Sequence, residues 1–380
     1  MLKPRFPALI AIIGVSTALA ACSGEDGSQP EASVTLDAQA IREIEALADR
    51  AIAAGIPGVS IAILRDDQTV TIARGVADRE TSAELTTSHR FRMASIAKSV
   101  VASVVLQLVD ENRLALSDSV EHWLPGLLSA NRDASIEHLL RLESGIFDFA
   151  RDERHMAPYL RGEWEHAWAP AELVGLAADH PPDFAPGAGW AYSNTNYTLL
   201  AMIIEKITGS TLEEVVRARV GEPLGLDSTS MEVDSDMSAP FAHGYLVGQG
   251  EPLDVTRISA SAVFGNGNLT STPLEVAQFY RALQRGDVVS QKLLPQMMQA
   301  DQRVTDSYGM GLFRFEKFWS CGTFVGHDGQ TPGYDSVGYT SVDGRRQFAV
   351  SVNSSTMEER AGDEMAHAAF RDLVLASGCR

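Results

Sequence analysis

The chain has 380 residues, enough for a large core arranged in two lobes. Apolar residues make up 45% of it, an ordinary share for a folded globular protein and too high for a disordered one. The formal charge is -19 and no basic patch interrupts it, which argues against nucleic acid or an anionic membrane surface as a partner.

Residues 1–21 read as a signal peptide. Lys3 and Arg5 give a basic start, and residues 8–21 are an apolar run, too short and too rich in small residues for a comfortable membrane span. The run ends in "LAAC", which resembles a bacterial lipobox and so implies a lipid on Cys22; an ordinary secretory cleavage is the alternative. Residues 22–35 form a polar, Gly/Ser/Pro-rich tether. The expectation is an exported, periplasmic lipoprotein that touches the membrane only through Cys22. Ser23 gives no inner-membrane retention signal, so the outer membrane is preferred. Cys321 and Cys379 then remain, an even number in an oxidising compartment, as a disulfide or as two free thiols.

Residues 37–55 carry Ile41, Ile44, Leu47, Ala48 and Ile52 at helical spacing, and Gly55 ends the helix. "GVSIAIL" and "TVTIARG" read as two strands around "RDDQ", residues 65–68. Val100, Val101, Val104, Val105, Leu108 and Val109 make an apolar helical stripe, and residues 135–145 and 196–209 predict further helices. Late in the chain "DSVGYTS" and "RQFAVSVN" flank the turn "VDG", and a helix spans about 362–376. A β-rich frame from both ends, residues 36–94 and 262–380, encloses a mostly helical domain over 95–261. The fold class is therefore α/β (α+β) with an inserted all-α domain, and grooves between such lobes are common ligand sites.

Three short motifs carry chemistry, and each occurs once. Ser95-Ile-Ala-Lys98 places an amine three residues after a hydroxyl, on one helical face, with Ser95 at a helix N-terminus where developing negative charge is favoured. A desolvated amine can activate a serine; an N-cap serine beside a snorkelling lysine is the plainer alternative. Tyr192-Ser193-Asn194 follows the Pro-rich "PPDFAPG" and reads as a rigid loop before a helix. Beside cations, Tyr192 could shuttle a proton, and Asn194 offers both a donor and an acceptor to a substrate amide. His327-Asp328-Gly329 reads as a strand whose glycine permits close approach, with His327 orienting the tyrosine and supplying positive charge. A partly buried tyrosine and an edge-strand histidine are the structural alternatives for these two.

Taken together, and in this order, the motifs resemble those of the serine β-lactamase and penicillin-binding-protein-like superfamily, closest to class C β-lactamases, D-alanyl-D-alanine carboxypeptidases and related esterases. "LVDENRLALSDSVEHWLP", "IEHLLRLESGI", "GNGNLTSTPLEVAQFYRAL" and "YGMGLF" extend the resemblance over residues 37–371. It implies an antiparallel sheet flanked by helices. It also implies a Ser95 nucleophile, with Lys98 and Tyr192 moving its proton in an order left open. The backbone N–H groups of Ser95 and Gln330 would form the oxyanion hole, and Asn194 would hold the substrate's acyl-side amide. No metal or cofactor is required. The chain departs from the family in the third motif, where Lys is common at the position of His327 and Thr or Ser at that of Asp328. If Asp328 faces the groove it repels a substrate carboxylate; strand alternation could turn it away, and Thr331 could offer a replacement hydroxyl. The expected activity is D-alanyl-D-alanine carboxypeptidase, with esterase or β-lactamase as the alternative. A catalytically idle, peptide-binding member is a third reading. The partner is a small peptide, ester or β-lactam.

Overall fold

The computed structural model describes residues 36–247, 251–300, 307–318, 321–356 and 364–380; the expected signal peptide, Cys22 and the tether lie outside them. Helix α1 (Ala38–Ala53) begins where the Asp37 carboxylate accepts the Ala40 N–H at 2.8 Å, and it buries Ile44, Leu47, Ala48 and Ala51. Strands β1 (Gly58–Arg65) and β2 (Gln68–Asp78) follow as an antiparallel hairpin with Ile61 opposite Ile72. The remaining strands of the main sheet are β3 (Ala83–Glu84), then, late in the chain, β6 (Ser307–Tyr308), β7 (Phe313–Phe315), β8 (Phe324–Thr331), β9 (Tyr334–Ser341) and β10 (Arg346–Val352). Their order is β3-β2-β1-β10-β9-β8-β7-β6, and every pairing is antiparallel. Ile61 thus lies between Ile72 and Val350, which joins the two ends of the chain in one sheet.

Alternation gives this sheet two apolar faces. Val59, Ile61, Ile63, Val337, Tyr339, Phe348, Val350 and Val352 pack with α1 and the last helix, α5 (Glu364–Cys379). Ala62, Leu64, Tyr334 and Ala349 join a second core on the opposite side, across which α4 (Pro273–Arg285) lies against β1, β9 and β10. That second core continues through α2 (Ala97–Asp110) into α3 (Asn194–Thr208). Helix α2 is buried on nearly every side, as a central helix must be when its sequence is apolar all round. A small sheet of β4 (Phe91–Ala94), β5 (Leu269–Ser271) and the short strand Ser230–Met231 runs beneath β8 and β9 and leads directly into α2.

The structure departs from the sequence reading in three places. The helix predicted over 135–145 is only Ile136–Leu140, because Leu142 (φ 60°) and Gly145 (φ 67°) take left-handed backbone and bend the chain back toward α3. The middle of the chain is not wholly helical: Ser230–Met231 extends the small sheet, and Tyr245–Val247 pairs with Ser354–Thr356 and Leu253–Asp254. The last helix runs to Cys379, where a disulfide joins it to Cys321 with 5.2 Å between Cα atoms. Beside that bond the buried Arg65 guanidinium donates to the carbonyls of Ser377 and Gly378, so a cation meets the negative end of the helix. Replacing Cys379→Ser is expected to lower the free energy of unfolding by about 2–4 kcal/mol. Urea melts of the two proteins, with intact mass before and after reduction, check it.

Candidate active site

Strand β4 ends at Ala94, whose φ of 45° is costly for a residue with a side chain. The bend throws Ser95 and Ile96 into a turn, closed by Lys98 N–H on the Ser95 carbonyl at 3.0 Å, before α2 begins at Ala97. Ser95 therefore stands two residues outside the regular helix. The i, i+3 spacing still brings Lys98 Nζ to 2.9 Å from Ser95 Oγ. Lys98 is completely buried, and Nζ also donates to Asn194 Oδ1 and to the carbonyl of Asn266, each at 2.8 Å. Tyr192 O–H donates to Ser95 Oγ at 2.8 Å from the other side, and its ring centroid lies 4.8 Å from Nζ. Tyr192 and Ser193 are the loop before α3, and Asn194 is that helix's first residue.

Burial acts in opposite senses on these two groups. It lowers the Lys98 amine to about 7, against the raising influence of Asp148 and Asp328. It raises the Tyr192 phenol well above its ordinary value of 10, and the charges of Asp328 and Asp148 add to the rise although the contact with Ser95 opposes it. Two of the three Nζ contacts are oxygens that only accept. A neutral amine with N–H groups on Asn194 Oδ1 and Asn266 O therefore turns its lone pair toward the Ser95 hydroxyl.

The third motif lies on β8. His327 is buried, not on an exposed edge; its Nδ1 meets the Asp328 carbonyl at 2.5 Å and its Nε2 the Tyr308 hydroxyl at 3.3 Å. The Tyr192 ring is 6.4 Å away between centroids. Burial first, and Lys98 second, depress the imidazole to about 3, so His327 is neutral and does not supply the positive charge expected of it. Asp328 points to the other face. It is paired in register with Val337, which packs under α1 and α5, and its side chain is 54% exposed with Oδ1 3.5 Å from His327 Nδ1. Gly329 is required by close approach: a Cβ there would run into the Met93 carbonyl oxygen and come within 3.0 Å of Ser95 N. Gln330 is exposed and Thr331 partly so. Strand β7 pairs with only residues 324–326 of β8, so residues 327–331 have no strand neighbour on that side among the described residues.

The structure thus brings Ser95, Lys98, Tyr192 and Asn194 into one hydrogen-bonded group, with His327 and Gly329 against it. Asp328, Gln330 and Thr331 lie along the same strand. Three participants were not singled out from the sequence. Asp148 accepts from Asn194 N and Nδ2, Tyr308 contacts His327, and Asn266 supplies a carbonyl to Lys98. Tyr308 opens "YGMGLF", one of the segments that carry the resemblance, whereas Asp148 lies two residues past the end of "IEHLLRLESGI".

An antiparallel sheet flanked by helices thus holds a serine hydroxyl between a buried amine and a tyrosine, the surroundings that a nucleophilic serine requires. The chain belongs to the Beta-lactamase family, whose model matches residues 39–371. It is 25% identical over 298 residues to penicillin-binding protein 4* of Bacillus subtilis (strain 168), covering 73% of this chain and 64% of that one. It is 32% identical over 206 residues to the esterase EstB of Burkholderia gladioli, covering 48% of each. The chain spans less than two thirds of the length of the first curated relatives it matches, 64% of one and 59% of another. Among solved structures, a D-stereospecific amidohydrolase from Streptomyces sp. superposes with a TM-score of 0.76 at 31% identity, over 84% of this chain and 95% of that one. The D-amino acid amidase of Ochrobactrum anthropi SV3, complexed with L-phenylalanine amide, gives 0.78 at 25% identity over 90% and 97%.

Because Gly329 admits no side chain over the Ser95 turn, Gly329→Ala is expected to slow covalent labelling of Ser95 by a fluorophosphonate at least about tenfold. Far-UV circular dichroism should stay native. Labelling at the wild-type rate would show that β8 does not hold this turn.

Proposed function

We propose that the protein is a serine hydrolase that forms an acyl-enzyme on Ser95, acting on small D-configured amides and esters. The observation that carries it is Ser95 Oγ held at 2.9 Å from Lys98 Nζ and 2.8 Å from Tyr192 O–H. Lys98 takes the Ser95 proton as the oxygen attacks the carbonyl carbon. The oxyanion is received by the N–H groups of Ser95 and Gln330. Tyr192, a neutral donor already on Ser95 Oγ, passes a proton from Lys98 to the leaving nitrogen or oxygen. Water then repeats the sequence on the ester, with the amine again as the base. Residues 327–331 of β8 offer the backbone along which an extended acyl group can lie, with Asn194 Nδ2 and the Thr331 hydroxyl as polar contacts for the substrate. The reading requires no metal or cofactor.

D-configuration is taken from the relatives, which include D-amino acid amidases and D-aminopeptidases. Cleavage of a D-alanyl-D-alanine terminus is the second reading, favoured by the penicillin-binding relatives. Charge weighs against it. A free carboxylate needs a cation to meet it, whereas the buried His327 beside Ser95 is neutral. A panel of D-phenylalanine amide, a D-Ala-D-Ala peptide, nitrocefin and p-nitrophenyl butyrate separates the readings. Ser95→Ala should abolish every activity found. Faster turnover of the D-Ala-D-Ala peptide than of the amide and ester would overturn the charge argument.

The pH dependence has a definite sign. A base depressed to about 7 is protonated below that pH and free above it, so kcat/KM should rise through pH about 7 on a single ionisation. A limb near the ordinary lysine value of ~10 would remove Lys98 from this role. Export as a lipoprotein through Cys22 belongs to the same proposal, and metabolic labelling with a palmitate analogue, lost in Cys22→Ser, tests it.

A further inference from the structure

We propose that Asp148 is a positioning residue for this site: its carboxylate fixes the carboxamide of Asn194 so that the oxygen, not the nitrogen, faces Lys98. This rests on the acyl-transfer reading of Ser95 and Lys98. Asp148 is 7% exposed. Its Oδ1 accepts from Ala150 N at 3.2 Å and from Asn194 N at 3.1 Å, and its Oδ2 accepts from Asn194 Nδ2 at 3.2 Å. All three partners are donors, which suits an ionised carboxylate and would leave an acid proton nothing to bond. Burial raises this carboxyl above its ordinary value, and the N–H groups of Ala150 and Asn194, the charge of Lys98 and the Asn194 carboxamide act against the rise, at a helix N-terminus that favours the same anion.

A carboxamide has nearly the same shape in both orientations, so its hydrogen-bond partners alone decide which end faces where. In this site Nδ2 is taken by Asp148 and Oδ1 is left for Lys98 at 2.8 Å. The flipped orientation would set a carbonyl against the carboxylate, a repulsive contact, and an NH2 group against the amine, where it would repel the ammonium or take the neutral amine's lone pair away from Ser95. Without the correct orientation Nζ loses one of the two obligate acceptors that aim its lone pair at Ser95. The segment is held rigidly for this task. Phe149 N–H donates to Thr195 Oγ1 at 3.0 Å, Thr195 Oγ1 to the Phe147 carbonyl at 2.7 Å, and Ser144 Oγ to Asn196 Oδ1 at 2.8 Å.

Asp148 also places a negative charge one carboxamide away from the amine. The other groups around Lys98 are Ser95, the rings of Tyr192 and Tyr197, neutral His327, and the more distant, exposed Asp328. Close to Asp148 in the chain lie Asp152, paired with Arg154 and His180, and the buried His155, which burial depresses. Asp148 is thus the buried carboxylate that favours the protonated amine, and removing it shifts the proton equilibrium of Lys98 in one direction only.

The test reads Lys98 directly. The full-length protein carries lysine labelled with 13C at Cε, and the Lys98 signal is assigned by its loss in Lys98→Met. In the wild type it should titrate well below the other lysines. In Asp148→Asn its midpoint should fall by about one pH unit, and in Asp148→Glu it should return toward the wild-type position. Asn194→Ala, which leaves Asp148 in place but removes the link, should lower it as well. That variant keeps the proposal open to refutation if Asp148→Asn does not fold. A folded Asp148→Asn protein with an unmoved Lys98 midpoint would overturn the proposal, as would an unmoved midpoint in Asn194→Ala. In labelling by a fluorophosphonate, Asp148→Asn should react at least about tenfold more slowly above the midpoint, with its acid limb displaced to lower pH by the same amount. A role limited to folding would reduce the labelled fraction and leave the limb where it was. If wild-type Ser95 fails to label at all, the acyl-transfer reading is lost, while the Lys98 titration still decides whether Asp148 sets the amine.

Discussion

The arrangement around Ser95 depends on one constraint: an amine has been taken completely out of water and given three oxygens in return. Burying an ammonium without partners is prohibitively costly, so each oxygen must be delivered by an element that does not yield. The three come from distant parts of the chain. Ser95 arrives on the bend at the end of β4, Asn194 opens α3, and the Asn266 carbonyl lies in the segment leading to β5. Each is anchored in turn. Asn266 Nδ2 donates to Thr198 Oγ1 at 3.1 Å, and Thr198 Oγ1 donates to the Phe264 carbonyl at 2.8 Å, which ties that segment to α3. The apolar sequence of α2 contributes to this, because a helix buried on nearly every side presents Lys98 where no solvent reaches it.

The main sheet contributes rigidity to the same point. Strand β8 crosses the Ser95 turn at Gly329 with no room for a methyl group, so the position of the nucleophile is referred to a strand clamped between β9 and β7. The far face of the sheet is covered by α1 and α5, and Arg65 and the Cys321–Cys379 bond hold the end of α5 against it. These contacts lie on the opposite side of the sheet from Ser95 and touch nothing reactive. Their contribution is to keep β8 from shifting relative to β4, and a displacement of an ångström between reacting groups is costly to catalysis.

Much of this was legible in the sequence where local rules govern. The two hairpins were set by period-two alternation and by the turns at residues 65–68 and 342–344, and the helix ending at Gly209 by its left-handed cap. The spacing of Ser95 and Lys98 was readable because i, i+3 neighbours meet even across the turn that precedes α2. Properties set by burial were not readable. His327 looked like a source of positive charge because a histidine titrates near neutrality in water, but a fully enclosed imidazole beside Lys98 stays neutral. Asp328 could be placed only once the register with Val337 fixed which face it takes. Asp148 and the Asn266 carbonyl lay hidden for different reasons: one is a common turn residue with a plain capping role toward Ala150, and the other is backbone, which no side-chain pattern reports.

The sequence also left open whether Lys98 or Tyr192 first takes the serine proton, and burial bears on that choice. In water the two groups have nearly the same pKa, about 10 for each. They differ in which state is charged. Lysine is charged when protonated and tyrosine when deprotonated, so removing water disfavours ammonium and phenolate alike and drives the two apart in opposite directions. The Lys98 amine falls to about 7 while the Tyr192 phenol rises well above 10. The group that readily gives up its proton near neutrality is then the lysine, and the one that keeps its proton is the tyrosine. The contacts suit that division, since Tyr192 donates to Ser95 Oγ, and Nζ, which donates to the same oxygen as an ammonium, can accept from it once neutral. A hydroxyl that accepts from the phenol has its own proton left to direct at the amine, so the division into base and proton donor follows from desolvation and from the number of lone pairs on one oxygen.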